Sequence, residues 1–163
     1  MSTIALRPPR HRPDPRAISW WTVQWLMLMA PLAGAAVAAY ALFTSRPGWL
    51  GALVAVFALG CLALAVVAPR VSYRVERWEV TDDAVYTRTG LLTHRWRVAP
   101  MSRIQRVDTA RGPVQRLFGL ADVTVTTASS AGAITIGGLG HELAADLADH
   151  LTARTQATPG DAT

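Results

Sequence analysis

ISWWTVQWLMLMAPLAGAAVAAYALFTSRPGWLGALVAVFALGCLALAVVAP, residues Ile18 to Pro69, decides the fold. Its only charged side chain is Arg46, in the short polar break between two apolar runs. Ile18–Phe43 and Trp49–Ala68 are each long enough to cross a bilayer, since about 20 helical residues at ~1.5 Å rise cover a ~30 Å hydrocarbon core. In lipid every backbone N–H and C=O needs a partner within the chain, so an uncharged run of this length has to be helical. A soluble helix would carry a polar stripe at its ~3.6-residue period, and neither run has one. The sequence therefore predicts two transmembrane helices, 18–43 and 49–68, turned back on each other at Arg46-Pro47-Gly48. Pro31 is tolerated where neighbours satisfy the carbonyl it frees.

Trp20, Trp21, Trp25 and Trp49 cluster at the starts of the two runs, where the indole ring is buried and its N–H stays wet. Ala30, Gly34 and Ala38 recur every four positions, and Gly51, Ala55 and Ala58 do something similar. That spacing lets helix backbones approach closely, but the abundance of alanine explains it equally well. No acid, arginine or histidine lies inside either run, which argues against a transporter or channel acting alone. The single cysteine, Cys61, has no disulfide partner in the chain and reads as a small packing residue.

Working outward, residues 1–17 hold Pro8, Pro9, Pro13 and Pro15 among Arg7, Arg10, Arg12 and Arg16. Proline without apolar periodicity predicts a disordered tail, and residues 155–163 read the same way. Four arginines before the first run and Arg70, Arg74 and Arg77 after the second outweigh Arg46 between them. The positive-inside bias then places both termini in the cytoplasm of a multi-pass inner-membrane protein. A signal peptide also opens with arginines before an apolar run. This run is longer than a usual signal core, and the second run would return the C-terminal domain to the cytoplasm in either case.

The net charge of +5 comes from 16 arginines and no lysine against 11 acids. The excess sits around the apolar runs, so it argues little for nucleic acid, and no nucleic-acid partner is expected.

After Pro69 the period changes from helix to strand. Val71, Tyr73 and Val75 alternate, then Trp78 and Val80 in the opposite phase, which predicts a strand with a bulge near Glu76-Arg77. Further strands are predicted over 85–89, 94–98, 104–110, 122–127 and 133–136, with a short segment at 114–118 and the glycines 137–140 ending the sheet. Leu143, Leu147 and Leu151 on one face, with Ala144 and Ala148 beside them and Glu142, Asp146 and Asp149 away from it, predict a closing amphipathic helix. The class is α+β: a helical hairpin, then about six or seven antiparallel strands in a small barrel capped by a helix.

For chemistry the sequence offers little. His11, His94, His141 and His150 share no metal-binding face, and no metal or other cofactor is expected. Gly137-Gly138-Leu139-Gly140 lacks the lysine and hydroxyl of a phosphate-binding loop. Ser129-Ser130 has no base placed beside it, and no catalytic residue is assigned. The positive signal is arginine: Arg95, Arg97, Arg103, Arg106, Arg111 and Arg116 fall close together with one acid, Asp108, among them. Such a patch near a membrane meets either anionic lipid headgroups or a protein partner, unless it is a solvated strand face paired with acids elsewhere.

The string from Trp78 to Ser129 carries a resemblance. Thr81-Asp82-Asp83, Gly90-Leu91-Leu92, Arg103-Ile104-Gln105, Gln115-Arg116-Leu117-Phe118-Gly119-Leu120 and Thr126-Thr127-Ala128, in that order, resemble the bacterial pleckstrin-homology (PH)-like domain. The layout of two spans and then a domain is similar to the YdbS-like membrane proteins. The resemblance implies a PH-like barrel with a capping helix over 70–154, no established catalysis, and a companion membrane protein or a second copy as partner. It also implies a role in envelope or membrane maintenance. It does not carry over an inositide site, because Asp82 and Asp83 stand in the first hairpin turn where inositide-binding relatives place basic residues.

Overall fold

A computed structural model describes residues 9–42, 47–90, 93, 95–128 and 132–157. The loop containing Arg46, together with His94, Ser129-Ser130, Leu91-Leu92 and the chain ends 1–8 and 158–163, lies outside them. The chain divides into two compact units, one of residues 18–71 and the other of residues 1–17 with 72–163.

The first unit is helical. Helix α1 runs Arg16–Leu42 and α2 runs Gly48–Val75, both apolar enough to cross a membrane. Their large side chains point outward: Leu28, Leu42, Val56 and Leu59 are more than half exposed. That is the arrangement of a protein whose solvent there is oil. Of the small-residue stripes, Gly51 sits against Tyr40, where an added Cβ would come within 2.7 Å of the hydroxyl. Gly34 has nothing within 4 Å, so no close helix–helix contact is made at that position. A cavity of about 240 Å³ lined by Leu26, Met29, Ala30, Ala33, Ala58, Cys61 and Leu62 separates the helices at mid-length, and Cys61 is buried beside it.

Helix α2 corrects the expected strand at 71–75. It continues through Pro69 to Val75. Proline forfeits one intrahelical bond. The forfeited bond is the one to the Ala65 carbonyl. At the next residue Arg70 donates from its guanidinium to the carbonyl of Val66, and Arg77 donates to that of Tyr73 at 3.2 Å, which satisfies a carbonyl of the last turn. No bulge is then needed at Glu76-Arg77.

In the second unit the strands form two separate three-stranded antiparallel sheets, and among the described residues no ladder closes them into a barrel. The first sheet has β1 (Arg77–Val80), β2 (Ala84–Thr89) and β3 (Arg95–Pro100) in that order. A 3-10 turn at Met101–Arg103 leads to the second, made of β4 (Ile104–Ala110), β5 (Leu120–Thr127) and β6 (Ala133–Gly140). Helix α3 (Pro113–Phe118) joins β4 to β5 and ends at Gly119, whose φ of 67° suits a left-handed cap.

One core lies between the sheets: Trp78, Val85 and Ala99 from the first, and Val123, Val125, Ile134, Ile136 and Leu139 from the second. Helix α4 (His141–Ala157) adds Ala144 and Leu151, with Leu147 beside them. The expected face is the buried one, except that Leu143 at its start is 48% exposed.

The glycines 137–140 belong to β6 rather than ending the sheet. Gly137 and Gly138 form a bulge opposite Asp122, with Gly138 at φ 67° donating its N–H to the Asp122 carboxylate at 2.8 Å.

The tail expected to be disordered is ordered over 9–17. His11 and Trp78 exchange backbone hydrogen bonds at 3.0 Å as an antiparallel bridge, and Asp14 N–H donates to the Gly138 carbonyl at 2.8 Å. Pro9, Pro13 and Ala17 are buried. The prolines that spoil a helix suit an extended segment laid on a sheet edge.

Candidate functional site

The phase of β2 and β3 decides what the first sheet shows. Val85 pairs with Ala99, Thr87 with Arg97, and Thr89 with Arg95, so these residues share the inward face. Arg88 pairs with Trp96 and Tyr86 with Val98 on the outward face. Both arginines of β3 therefore lie past the end of the core, while its tryptophan faces out, 41% exposed.

The six arginines singled out in the sequence are dispersed. Arg97 Nη1 donates to the Ala133 carbonyl at 3.0 Å, tying β3 to the start of β6. Arg106 stands on the outward face of the second sheet, since its neighbour Val107 packs on the core, and pairs with Asp108 at 2.7 Å. Arg111 Nε donates to the Leu120 carbonyl at 3.2 Å. Arg95, Arg103 and Arg116 are exposed on β3, the 3-10 turn and α3. The fold brings Arg95 and Arg97 together but puts Arg106 on another face.

A different set does converge. With His11 opposite Trp78 in an antiparallel bridge, Arg12 falls opposite Arg77. Arg77 is opposite Arg88, and Arg88 is opposite Trp96. Trp78 points inward, so Arg12, Arg77, Arg88 and Trp96 make one row across the outward face. Trp78 Nε1 donates to the Arg12 carbonyl at 3.2 Å and holds that end of the row. The Arg88 guanidinium lies over the Trp96 ring, 5.5 Å from its centre, and its buried Nε has no hydrogen-bond partner among the described residues. Burial, then the Arg12 and Arg88 charges, press the Arg77 pKa below its ordinary value. Sequence reasoning missed this row because Arg12 sat in a tail read as unstructured.

Between the tail and the sheets, Pro13, Glu76, Trp78, Thr87, Thr135 and Gly137 line a cavity of about 10 Å³, room for one water at most. Burial, helped by the Asp122 charge, pushes the Glu76 carboxyl up to about 7. In the first hairpin turn Asp82 pairs with Arg154 of α4 at 2.7 Å, so that turn is acidic and engaged. Among the described residues no cluster of histidine, cysteine and acids has metal-binding geometry. At the start of α4, Asp14 and Glu142 line an open cleft with Arg16 and His141. Those carboxylates disfavour the anion that a glycine loop before a helix would otherwise suggest.

Comparison with known proteins agrees with this architecture. A family model described as "Bacterial PH domain" matches residues 23–155. The UPF0699 transmembrane protein YdbS of Bacillus subtilis (strain 168) is 30% identical over 125 residues, covering 75% of this chain and 79% of that protein. No solved structure matches. The chain belongs to the bacterial PH domain family and is a YdbS-like membrane protein; family and relative point to a non-catalytic module.

Proposed function

We propose that this member of the bacterial PH domain family is a membrane-tethered docking module without catalysis. Its two apolar helices lie in the bacterial inner membrane, and both termini and the PH-type domain face the cytoplasm. There the domain grips a related membrane protein or a second copy of itself, in envelope or membrane maintenance. The orientation rests on the arginine excess around the apolar runs against Arg46 between them. The docking reading rests on β3. Among the described residues it is an edge strand of the first sheet that presents an exposed Trp96, and such an edge beside an exposed aromatic is what a partner chain can add to.

The test is a photo-crosslinker placed at Trp96 and, as control, at Thr152 on the exposed side of α4, in native membranes. The docking reading expects a covalent adduct with a second copy or another family member from position 96 and none from 152. Loss of adducts at both positions sinks it. The second reading, contact with anionic lipid through Arg95, Arg97, Arg103, Arg106, Arg111 and Arg116, is favoured by the exposure of Arg95, Arg103 and Arg116. Replacing all six by glutamine tests it in nanodiscs, with hydrogen exchange of β3 and β4 as the readout. Anionic-lipid protection that persists at the same salt sensitivity removes this reading.

A further inference from the structure

We propose that Arg12, Arg77 and Arg88, with Trp96 at the end of their row, form a binding site for the phosphate of an anionic lipid headgroup.

Like charges placed directly opposite each other on neighbouring strands repel, and here two such pairs share Arg77. Strands lie about 4.8 Å apart, so the backbones of the three arginines span roughly 10 Å with no acidic residue between them in the row. The nearest acid on that face, Glu79, stands in the next row opposite Tyr86. The ion pairs of Asp82 and Asp108 go to Arg154 and Arg106, away from the row. Arg77 Nη1 is committed to the carbonyls of Tyr73 and Glu76, which fixes the guanidinium in place. Arg88 lies over Trp96, and its buried Nε finds no hydrogen-bond partner among the described residues. Three like charges in one row, two of them with their guanidiniums held, are relieved by an anion. A phosphate diester meets planar guanidiniums through charge-assisted hydrogen bonds.

The lipid, rather than a soluble phosphate, follows from where the row lies in the chain. Arg12 precedes the first residue of α1 by four positions and Arg77 follows the last residue of α2 by two. The row is assembled from the two segments that flank the membrane-capable helices. This assignment rests on the membrane anchoring of the proposed function but not on its protein partner. Trp96 borders both surfaces, so the lipid test keeps Trp96 in place and changes only arginines; loss of lipid binding there is then read apart from loss of the crosslink.

The experiment uses the full chain in detergent, with native mass spectrometry as the readout. Bound phosphatidylglycerol is counted against phosphatidylcholine. Wild type is expected to retain phosphatidylglycerol at least tenfold more. Arg12→Gln and Arg88→Gln should each lower that affinity about fivefold, at roughly 1 kcal/mol per arginine near a charged surface. The Arg95/Arg103/Arg116→Gln triple variant should leave it unchanged. Arg12→Gln lies in the tail and cannot unfold the sheets, so it keeps the test valid if Arg88→Gln misfolds. Equal retention of phosphatidylglycerol by wild type and both single variants overturns the site. Inorganic phosphate displacing the lipid at low millimolar concentration overturns the lipid assignment in favour of a soluble anion.

Discussion

The two sheets have the same strand count and the same antiparallel pairing, yet the sequence uses them differently. In the second, β5 alternates buried and half-buried residues along its length, and β6 answers with Ile134, Ile136 and Leu139. Its outward face is lined with threonines, Thr124 and Thr135 hydrogen-bonding at 3.2 Å. The first sheet gives the core Trp78, Val85 and Ala99 and turns outward Arg77, Arg88, Tyr86 and Trp96. On the outward face of the second sheet the one arginine of β4, Arg106, is neutralised by Asp108 beside it. The outward face of the first carries arginines and a tryptophan that folding does not ask for, and such residues mark a contact surface.

The comparison breaks first at the core of the second sheet. Val125→Asp should cost about 5 kcal/mol or more and abolish cooperative thermal unfolding, because a carboxylate at a fully buried site has no partner. Trp78→Ala should cost about 3–5 kcal/mol and also release the tail, since Trp78 bonds His11 and Arg12. Hydrogen exchange at 11–14 would report the release; protection there equal to wild type would disprove the link between tail and sheet.

Glu76 supplies a pH test. Its carboxyl titrates near 7 when folded and near 4.5 when unfolded. From about pH 4.5 upward the unfolded chain sheds this proton first, so stability falls as pH rises and levels off above about 7. The swing is up to about 3 kcal/mol. Glu76→Gln should flatten that slope in a thermal-melt series. Gly138→Ala should cost about 1–2 kcal/mol for its left-handed conformation, read as a lowered midpoint. The smallest effect belongs to the outward face of the first sheet. Trp96→Ala should change stability by only about 0.5–1 kcal/mol while removing the stacked surface under Arg88. A loss as large as that of Trp78→Ala would erase the contrast between the sheets.

Much of this was legible along the chain. The apolar runs announce themselves because helices in oil have no polar stripe to hide. The period-2 segments after Asp82 each became a strand, and the order from strands to closing helix is the observed one. The errors lie where a local signal met a longer-range one. Val71, Tyr73 and Val75 alternate like a strand but continue α2, because a helix already propagating adds residues more easily than a new strand nucleates. On α4 the face read from Leu147, Leu151, Ala144 and Ala148 is the one turned to the core, and Leu143 at its start stays exposed.

The site was less legible than the fold. Nearness in sequence suggested one arginine patch from 95 to 116, and strand alternation then scattered those side chains over several faces. Arg12 and Arg77 are far apart in sequence, and only the pairing of His11 with Trp78 sets them side by side.

Composition and periodicity alone determined the apolar hairpin, the strand-rich domain and the closing helix, because each follows from how a short stretch meets its solvent. Which arginines share a surface was decided only by strand register and by the tail folding back onto β1. Register is a property of pairs of segments, and no single stretch contains it.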